Sequence, residues 1–256
     1  MEAEATLVST TIDTYMPRPS SAPLTRMRRA PVRPPAVVYV PRSRVEWANR
    51  LLNIALAVVA IVVLSPLMLL IGLLVRVTSP GPVMYTQQRV GVNRRRRPTQ
   101  ALYDRRGQDA GGLVFTIYKF RTMQNDAEKH SGAVWATLND PRVTPIGRFL
   151  RQYRLDELPQ LFNVILGDMN IVGPRPERPA IFAELRSCIA DYPVRQRARP
   201  GITGLAQVSN SYDASLDDVK TKVRYDLEYL ERQSVVEDLR IMLRTVPVML
   251  FRKGGW

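Results

Sequence analysis

The pattern of apolar and polar positions divides the chain into a polar beginning, one long apolar run and an amphipathic remainder. Residues 51–75 read LLNIALAVVAIVVLSPLMLLIGLLV and contain no charged side chain. At 1.5 Å per residue, a helix of this length crosses the roughly 30 Å hydrocarbon core of a bilayer. The sequence therefore predicts one helix that lies in lipid.

The middle of this run contains Ser65 and Pro66. A proline removes one backbone hydrogen bond and bends a helix, and a serine hydroxyl can satisfy the carbonyl that is left over. A single span is basic mainly on its cytoplasmic flank, yet arginines stand on both sides of this one: Arg42, Arg44 and Arg50 before it, and Arg76, Arg89 and Arg94 to Arg97 after it. Two interpretations stay open, a helix that enters one leaflet, bends and returns, and a kinked full span.

The remainder predicts a mostly α protein with a small β-hairpin, an α+β fold. Apolar alternation predicts strands over residues 83–87 and 113–121. Apolar residues at helical spacing predict five helices, over residues 145–153, from Pro159 onward, and over 180–192, 215–233 and 236–252. The last is too short and too interrupted by Pro247 to span a bilayer, so we expect it to lie amphipathically in the head-group plane.

Three domains follow from this pattern. Residues 1–43 contain seven prolines and no sustained apolar period, which predicts a disordered, cytosolic tail. Residues 44–77 form the membrane helix, and residues 78–256 form a cytosolic domain that lies on the membrane. Within it, residues 93–112 are a basic insertion loop, which we expect to contact anionic phospholipid head groups.

The composition limits which catalytic sites, metal sites and partners the chain can have. With one cysteine, Cys188, and one histidine, His130, the chain can form no intramolecular disulfide and has almost no residues from which to build a zinc site or a Ser-His or Cys-His relay. We expect Cys188 to pack within a helix. A metal would be held by oxygen, which favours magnesium. The net charge of +14 predicts an anionic partner. Nucleic acid is disfavoured, because the basic insertion contains only Tyr103 for base stacking.

Two adjacent carboxylates, Asp156 and Glu157, stand immediately before the helix that begins near Pro159. The positive end of a helix dipole favours ionised carboxylates. An anionic oxygen there could bind a divalent cation or attack a phosphorus atom, and neighbouring carboxylates could divide these tasks. The alternative is an acidic helix start that only complements the dipole. Three arginines precede the pair and could hold phosphate oxygens: Arg148, Arg151 and Arg154.

Several other charged residues could have either a binding role or a structural one. Lys119 and Arg121 share one side of the second strand and could grip a diphosphate, or could be a solvated strand end. Arg175 lies between Pro174 and Pro176 on a rigid turn, with a binding or a structural role. Asp226 falls on the apolar stripe of its helix, so we expect it to form a structural ion pair with an arginine.

Three segments closely resemble the bacterial sugar transferase family, the monotopic polyprenyl-phosphate glycosyl-1-phosphate transferases that start exopolysaccharide and other glycan assembly. They are KFRTM at 119–123, DELPQLFNV at 156–164 with GPRP at 173–176, and RPGITGLAQ at 199–207. The resemblance covers roughly residues 44–256. It implies that the membrane break at Ser65 and Pro66 makes a re-entrant helix, with the catalytic domain on the cytoplasmic face of the bacterial inner membrane.

The resemblance also implies a reaction. Asp156 would attack the sugar-bearing phosphate of a UDP-sugar, form a covalent phosphosugar intermediate and release UMP. Glu157, beside Asp156, would bind Mg²⁺, and polyprenyl (undecaprenyl) phosphate would then take the sugar phosphate. We assign phosphate or nucleotide binding to Lys119, Arg121, Arg154, Pro174, Arg175, Pro176 and Arg199.

Two other functions compete with this one, a non-enzymatic basic membrane adaptor and a membrane-anchored sugar-nucleotide hydrolase. The chain also departs from the family twice. The basic insertion at 93–112 replaces a tight glycine hairpin, and a tail of about 43 residues stands where the long subfamily has further membrane helices and a soluble domain. No residue favours one sugar over another.

Overall fold

The computed structural model describes residues 44–93, 111–125, 127, 140–209 and 216–251, without the side chains of residues 44–46. This part of the chain is mostly helical with two small sheets, which confirms the predicted class. The elements are α1 (Arg44–Thr78), β1 (Met84–Val90), β2 (Val114–Phe120), α2 (Pro145–Gln152), α3 (Gln160–Leu166), β3 (Asn170–Val172), α4 (Pro179–Cys188), β4 (Gly201–Thr203), α5 (Leu205–Ser209), α6 (Leu216–Arg232) and α7 (Val235–Leu250). Short 3₁₀ turns occupy Leu155–Glu157 and Tyr192–Arg197.

The long apolar run forms one helix of 35 residues, α1, which continues through Ser65 and Pro66. The secondary structure is not interrupted at Pro66, so the helix-break-helix is not confirmed and stays a prediction. The Ser65 hydroxyl donates to the Val62 carbonyl at 2.9 Å, as expected beside a proline. By length and composition, Trp47–Thr78 can cross a membrane. The return of α1 to the side on which it entered stays a prediction.

Both halves of α1 pack against the same body. In the first half, Ala57 is fully buried in a cluster with Leu161 and Val164 of α3. In the second half, Ile71 and Val75 are buried with β2 and α2 side chains. Arg50 adds a polar link, because its guanidinium donates to the carbonyls of Val164 at 2.6 Å and Ile165 at 3.0 Å, near the C-terminal end of α3.

The predicted hairpin is present. β1 and β2 pair antiparallel, from Met84 opposite Phe120 to Val90 opposite Val114. A second sheet, not predicted, pairs β3 and β4 in parallel, with Asn170 opposite Gly201. Gly173, directly after β3, lies next to Gly204, directly after β4, and also faces the Arg199 carbonyl.

Helices α6 and α7 complete the body. Val219 and Val223 of α6 are buried against α4, and Ile241 of α7 is buried in a cluster with Val172 of β3. The other face of α7 exposes large apolar side chains at helical spacing: Val236, Leu239, Leu243, Val246 and Leu250. Its predicted position in the head-group plane stays a prediction.

Some predictions concern residues that the structure does not describe. The tail 1–43, residues 94–110 of the basic insertion, and His130 lie outside the described residues. Cys188 is described, at the last position of α4, and its side chain is exposed. The expectation that Cys188 packs within a helix is therefore wrong.

Candidate functional site

The two adjacent carboxylates lie in the 3₁₀ turn that precedes α3. Asp156 and Glu157 are only 7% and 4% exposed. The residue before this turn, Arg154, has a φ of 54°, a left-handed conformation that is uncommon for any residue except glycine. This sharp reversal after α2 directs both acids into the interior, where their charges interact strongly with neighbouring groups.

Three cations surround Glu157. Its Oε1 accepts from Lys119 Nζ at 2.8 Å and from Arg175 Nη2 at 2.7 Å. Its Oε2 lies 3.3 Å from Arg175 Nη1 and 3.8 Å from Arg154 Nη1. Burial alone would raise the pKa of Glu157, but Arg175, Lys119 and Arg154 outweigh burial and hold that pKa well below its usual value. Glu157 is therefore the ionised centre of this cluster.

Asp156 has a different environment. Its closest ion-pair partner is Lys119, with Nζ 4.0 Å from Oδ2, and its carboxylate accepts no hydrogen bond from the described residues. Burial raises the pKa of Asp156, with Lys119 opposing the rise and the neighbouring Glu157 charge adding to it. Burial of Asp156 therefore opposes the ionisation that we expect the helix dipole to favour. Adjacent carboxyls whose pKa values are pushed apart can take different chemical roles.

Arg175 reaches Glu157 because two loops approach closely. A Cβ added to Gly173 would lie 2.3 Å from the Arg199 carbonyl oxygen, so only glycine fits there. Arg195 then fixes the Arg175 backbone, donating from Nη2 to the Arg175 carbonyl at 2.9 Å. Arg175 is thereby held as a rigid ligand of the carboxylate.

Arg195 also explains Asp226. Its Nη2 lies 2.7 Å from Asp226 Oδ2, so the structural ion pair predicted for Asp226 is confirmed. Arg195 was not among the predicted site residues. The signal that pointed to it was the acid on the apolar stripe of α6, which required a cation from another element.

Asn163 is a second residue that sequence reasoning missed. It is fully buried in α3 and joins that helix to β2: its Oδ1 accepts from the Tyr118 backbone N–H at 3.1 Å and its Nδ2 donates to the Thr116 carbonyl at 2.7 Å. These bonds set the strand that carries Lys119 beside the turn that carries Glu157. An amide among the apolar residues of α3 was the available signal.

The structure brings together five of the predicted site residues: Lys119, Arg154, Asp156, Glu157 and Arg175. Pro174 and Pro176 are buried on either side of Arg175. Arg199 lies in the loop before β4, where its carbonyl faces Gly173. The binding roles assigned to Pro174, Pro176 and Arg199 stay predictions.

Arg121 lies elsewhere. Its guanidinium donates to the carbonyls of Ser79 at 2.6 Å, Val75 at 3.4 Å and Pro80, at the C-terminal end of α1. The strand β2 ends at Phe120, so the alternation that would have placed Arg121 beside Lys119 stops one residue early. The structure therefore separates this pair, and Arg121 caps the membrane helix.

Asp156 and Glu157 provide two adjacent carboxylates to a metal ion, which are few donors for a site built by the protein alone. Within the described residues no group of three or more His, Cys, Asp or Glu side chains could hold a metal ion. Mg²⁺, however, is usually held by one or two carboxylates together with substrate phosphates and water. Asp156 and Glu157 match that smaller protein contribution.

Comparison with known proteins adds independent information. A family model described as bacterial sugar transferase matches residues 44–252. The chain is 39% identical over 216 residues to the UDP-N-acetylgalactosamine-undecaprenyl-phosphate N-acetylgalactosaminephosphotransferase of Aeromonas hydrophila, covering 84% of this chain and 47% of that protein. It is 37% identical to the UDP-glucose:undecaprenyl-phosphate glucose-1-phosphate transferase of Caulobacter vibrioides, covering 82% of this chain and 73% of the relative.

A third relative is similar in length. The exopolysaccharide production protein PSS of Rhizobium leguminosarum is 36% identical, covering 81% of this chain and 98% of that protein. The chain thus spans about half the length of the Aeromonas relative and nearly all of the Rhizobium one. The part shared with all three contains both acids and the cations around them.

Proposed function

Because the chain belongs to the bacterial sugar transferase family, we propose that it is a phosphoglycosyl transferase that moves a sugar-1-phosphate from a UDP-sugar to undecaprenyl phosphate and releases UMP. One observation carries the proposal: two adjacent buried acids, of which Glu157 is bound by cations and Asp156 accepts no hydrogen bond from the described residues. The names of the relatives specify N-acetylgalactosamine in one case and glucose in another, so both UDP-sugars are candidate donors.

Asp156 is the proposed nucleophile. Its carboxylate oxygen forms a bond to the sugar-bearing phosphorus, the bond from that phosphorus to the oxygen bridging the two phosphates breaks, and UMP leaves with the electron pair. An oxygen of undecaprenyl phosphate then attacks the same phosphorus and releases the carboxylate. A carboxylate that accepts no hydrogen bond from the described residues, and whose pKa is raised by burial, is better suited to attack than one bound by three cations.

The cations supply electrostatic stabilisation. In phosphoryl transfer, catalysis consists mainly of positioning and of neutralising charge on the phosphate oxygens. Lys119, Arg154 and Arg175 already converge on one buried anion, Glu157, so a diphosphate placed beside Asp156 meets their positive field. We assign Mg²⁺ binding to Glu157 and Asp156, and the ion when bound would offset further phosphate charge.

The membrane arrangement is part of the proposal. Each half of α1 packs against the body that holds the two acids, and arginines tie the body to both ends of the helix, Arg50 at one and Arg121 at the other. This favours a re-entrant α1 bent near Ser65 and Pro66, with the body on the cytoplasmic face of the inner membrane. The exposed apolar stripe of α7 then lies among phospholipid head groups, anionic ones included.

A two-part experiment tests the reaction. Purified protein is incubated with Mg²⁺, undecaprenyl phosphate and a panel of UDP-sugars, and UMP release is measured for wild type and Asp156→Asn. We expect UMP from at least one sugar, and a loss of about 10³-fold or more in the variant, as is common when a nucleophile is removed. Asp217→Asn, which changes an exposed acid on α6, serves as the control and retains full activity.

The alternatives give different results. A membrane adaptor releases no UMP with any sugar, and a sugar-nucleotide hydrolase produces free sugar phosphate when the lipid acceptor is omitted. Labelling with a UDP-sugar radioactive in the sugar should trap an adduct on the wild type and none on Asp156→Asn. Equal labelling of the two proteins would refute Asp156 as the nucleophile.

A further inference from the structure

The apolar run of α1 contains one amide side chain, Asn53. It lies in the segment that can cross a membrane, and it is only 5% exposed. A buried amide is costly unless its polar atoms are hydrogen-bonded. Both ends of this amide are: Nδ2 donates to the Asn49 carbonyl at 2.7 Å, and Oδ1 accepts from the Ile171 backbone N–H at 2.7 Å. Asn53 therefore joins the membrane helix to β3.

The bond to Ile171 occupies the free edge of β3. This strand pairs with β4 through Asn170 and Val172, and successive residues of a strand direct their backbone groups to opposite sides. The backbone N–H of Ile171 therefore points away from β4 and toward α1. A strand edge left open in this way presents unpaired donors and acceptors. The Asn53 side chain takes the donor that a further strand would otherwise bind.

The strand β3 continues directly into the segment that carries Arg175. On the β4 side this segment is fixed, because Val172 is buried and the Gly173 N–H donates to the Thr203 carbonyl at 2.9 Å. The two strands and the residues after β3 therefore move as one unit. The Arg175 guanidinium at the end of this unit lies 2.7 Å from the Glu157 carboxylate. A shift of β3 relative to α1 would thus be transmitted to the ion pair at the candidate site.

The same turn of α1 also holds the element next to Glu157. Arg50, one helical turn before Asn53, donates to two carbonyls near the C-terminal end of α3. The turn that contains Glu157 directly precedes α3. Side chains three positions apart lie on the same side of a helix. One turn of α1 therefore has polar contacts with both elements that bring Glu157 and Arg175 together.

We propose that Asn53 is a positioning residue for the transfer reaction, an inference that rests on the proposed function. By binding the edge of β3, Asn53 holds Arg175 at the distance from Glu157 that the site requires. Without the Asn53 acceptor, the Ile171 N–H loses its partner and β3 moves to reach another one. A displacement of about 1 Å that starts far from the reacting atoms can lower a rate by about 10²-fold. The contact between the membrane helix and β3 thereby controls the geometry of the cation cluster.

A double-mutant cycle tests whether Asn53 acts through Arg175. The variants are Asn53→Leu, Arg175→Met and the two combined, and kcat/KM for UMP release is measured well below the Tm of each protein. We expect a loss of about tenfold for Asn53→Leu, the effect of one lost hydrogen bond, and of about 10²-fold for Arg175→Met. The double variant should lose no more than Arg175→Met alone, because residues that act as one unit are not additive. Losses that multiply in the double variant would overturn the inference.

A conservative variant tests the hydrogen bond itself. The protonated side chain of Asn53→Asp has the same shape as the amide and still provides one acceptor and one donor. It should keep at least about a third of the wild-type kcat/KM, since the bond to Ile171 is retained. A loss as large as that of Asn53→Leu would contradict the proposed role.

Asn49→Leu is the matched control, because it makes the same change one turn earlier on α1. The Oδ1 of Asn49 has no hydrogen-bond partner among the described residues, and the backbone carbonyl that binds Asn53 is kept in the variant. This protein should stay within about twofold of wild type. A loss equal to that of Asn53→Leu would show a general effect of apolar substitution in α1 and would refute the inference.

The wild-type assay separates this inference from the proposed function. An active wild type beside an equally active Asn53→Leu variant refutes the role of Asn53 alone. A wild type that releases no UMP from any UDP-sugar refutes the proposed function, and the role of Asn53 in it.

Discussion

Neighbouring residues can differ more in environment than in chemistry, as Asp156 and Glu157 show. Both are buried carboxyl groups in one turn, and burial raises the pKa of each. For Glu157, hydrogen-bonded Arg175 and Lys119 reverse this effect. For Asp156, the Lys119 ammonium at 4.0 Å and the more distant Arg151 and Arg175 do not. Ionisation of Asp156 therefore lowers the free energy of unfolding, and ionisation of Glu157 raises it.

The opposite signs predict opposite effects of two isosteric substitutions. Because the pKa of Asp156 is raised, the folded protein loses stability as pH rises through that pKa and the carboxyl ionises. Asp156→Asn removes this cost, so it should raise Tm at neutral pH. The pKa of Glu157 is lowered, so its charge adds stability at every pH above the unfolded value. Glu157→Gln should cost about 3 kcal/mol by leaving its cations without a counter-charge.

Thermal unfolding in detergent at pH 7.5 and pH 4.5 measures both effects. The increase in Tm from Asp156→Asn should be smaller at pH 4.5, because carboxyl groups of the unfolded chain also begin to protonate there. Asp217→Asn is the control at an exposed position. A lower Tm for Asp156→Asn at neutral pH would contradict the raised pKa.

At the scale of elements, the end of a strand decides the role of two cations. Lys119 lies inside β2 and its ammonium binds Glu157, whereas Arg121 follows the last residue of β2 and its guanidinium binds the end of α1. The pair shares a sequence pattern but contacts different elements. We expect Lys119 to affect the reaction rate and Arg121 to affect the free energy of unfolding.

The substitutions Lys119→Met and Arg121→Met separate these roles. Lys119→Met should lower kcat by about 10²-fold, since it removes a cation that we propose stabilises the phosphate charge. Arg121→Met should lower the free energy of unfolding by about 3 kcal/mol, because it leaves the Val75 and Ser79 carbonyls unpaired, while kcat stays within about twofold.

Both variants are assayed for UMP release well below their Tm, next to unfolding curves of the same samples. Arg224→Met, at an exposed arginine of α6, controls for the loss of one positive charge. An Arg121→Met protein with normal Tm and little activity would show that Arg121 is a phosphate ligand after all.

For the whole molecule, the main question is where the two ends of α1 lie. A straight helix of 35 residues is about 50 Å long at 1.5 Å per residue, which exceeds the thickness of a bilayer. Yet Arg50 contacts α3, and Val75 packs with β2 and α2 residues that belong to the same body. A body that contacts both halves of the helix is easier to place on one side of the membrane.

This arrangement predicts the accessibility of single cysteines. In a Cys188→Ser background, Trp47→Cys and Val77→Cys place thiols at exposed positions near the two ends of α1. Both should be protected from a membrane-impermeant maleimide in intact spheroplasts and should react after permeabilisation.

The unchanged Cys188, exposed on α4, controls for the side of the body in a protein without the added cysteines. Labelling of only one of the two new thiols in intact spheroplasts would show a full span. Labelling of Cys188 in intact spheroplasts would place the body outside the cell.

Local patterns in the sequence were sufficient for several elements and contacts. The hairpin, α6 with its buried Asp226, and the two acids before α3 follow from alternation, helical spacing and Pro159. Arg195 and Asn163 could not be identified in this way, because their partners, Asp226 and the Thr116 carbonyl, lie in distant segments. The exposure of Cys188 and the position of Arg121 depended on where α4 and β2 end, which is decided by packing.

By itself the sequence determined that one long apolar helix precedes a mostly helical body and that two acids are followed by a helix, because these features depend on hydrophobic periodicity and local backbone preferences. Only the tertiary structure decided which acid is bound by cations and which arginine caps α1. The physical reason is that pKa values, ion pairs and cavities arise from burial and from groups far apart in the chain, and no local pattern records their distances.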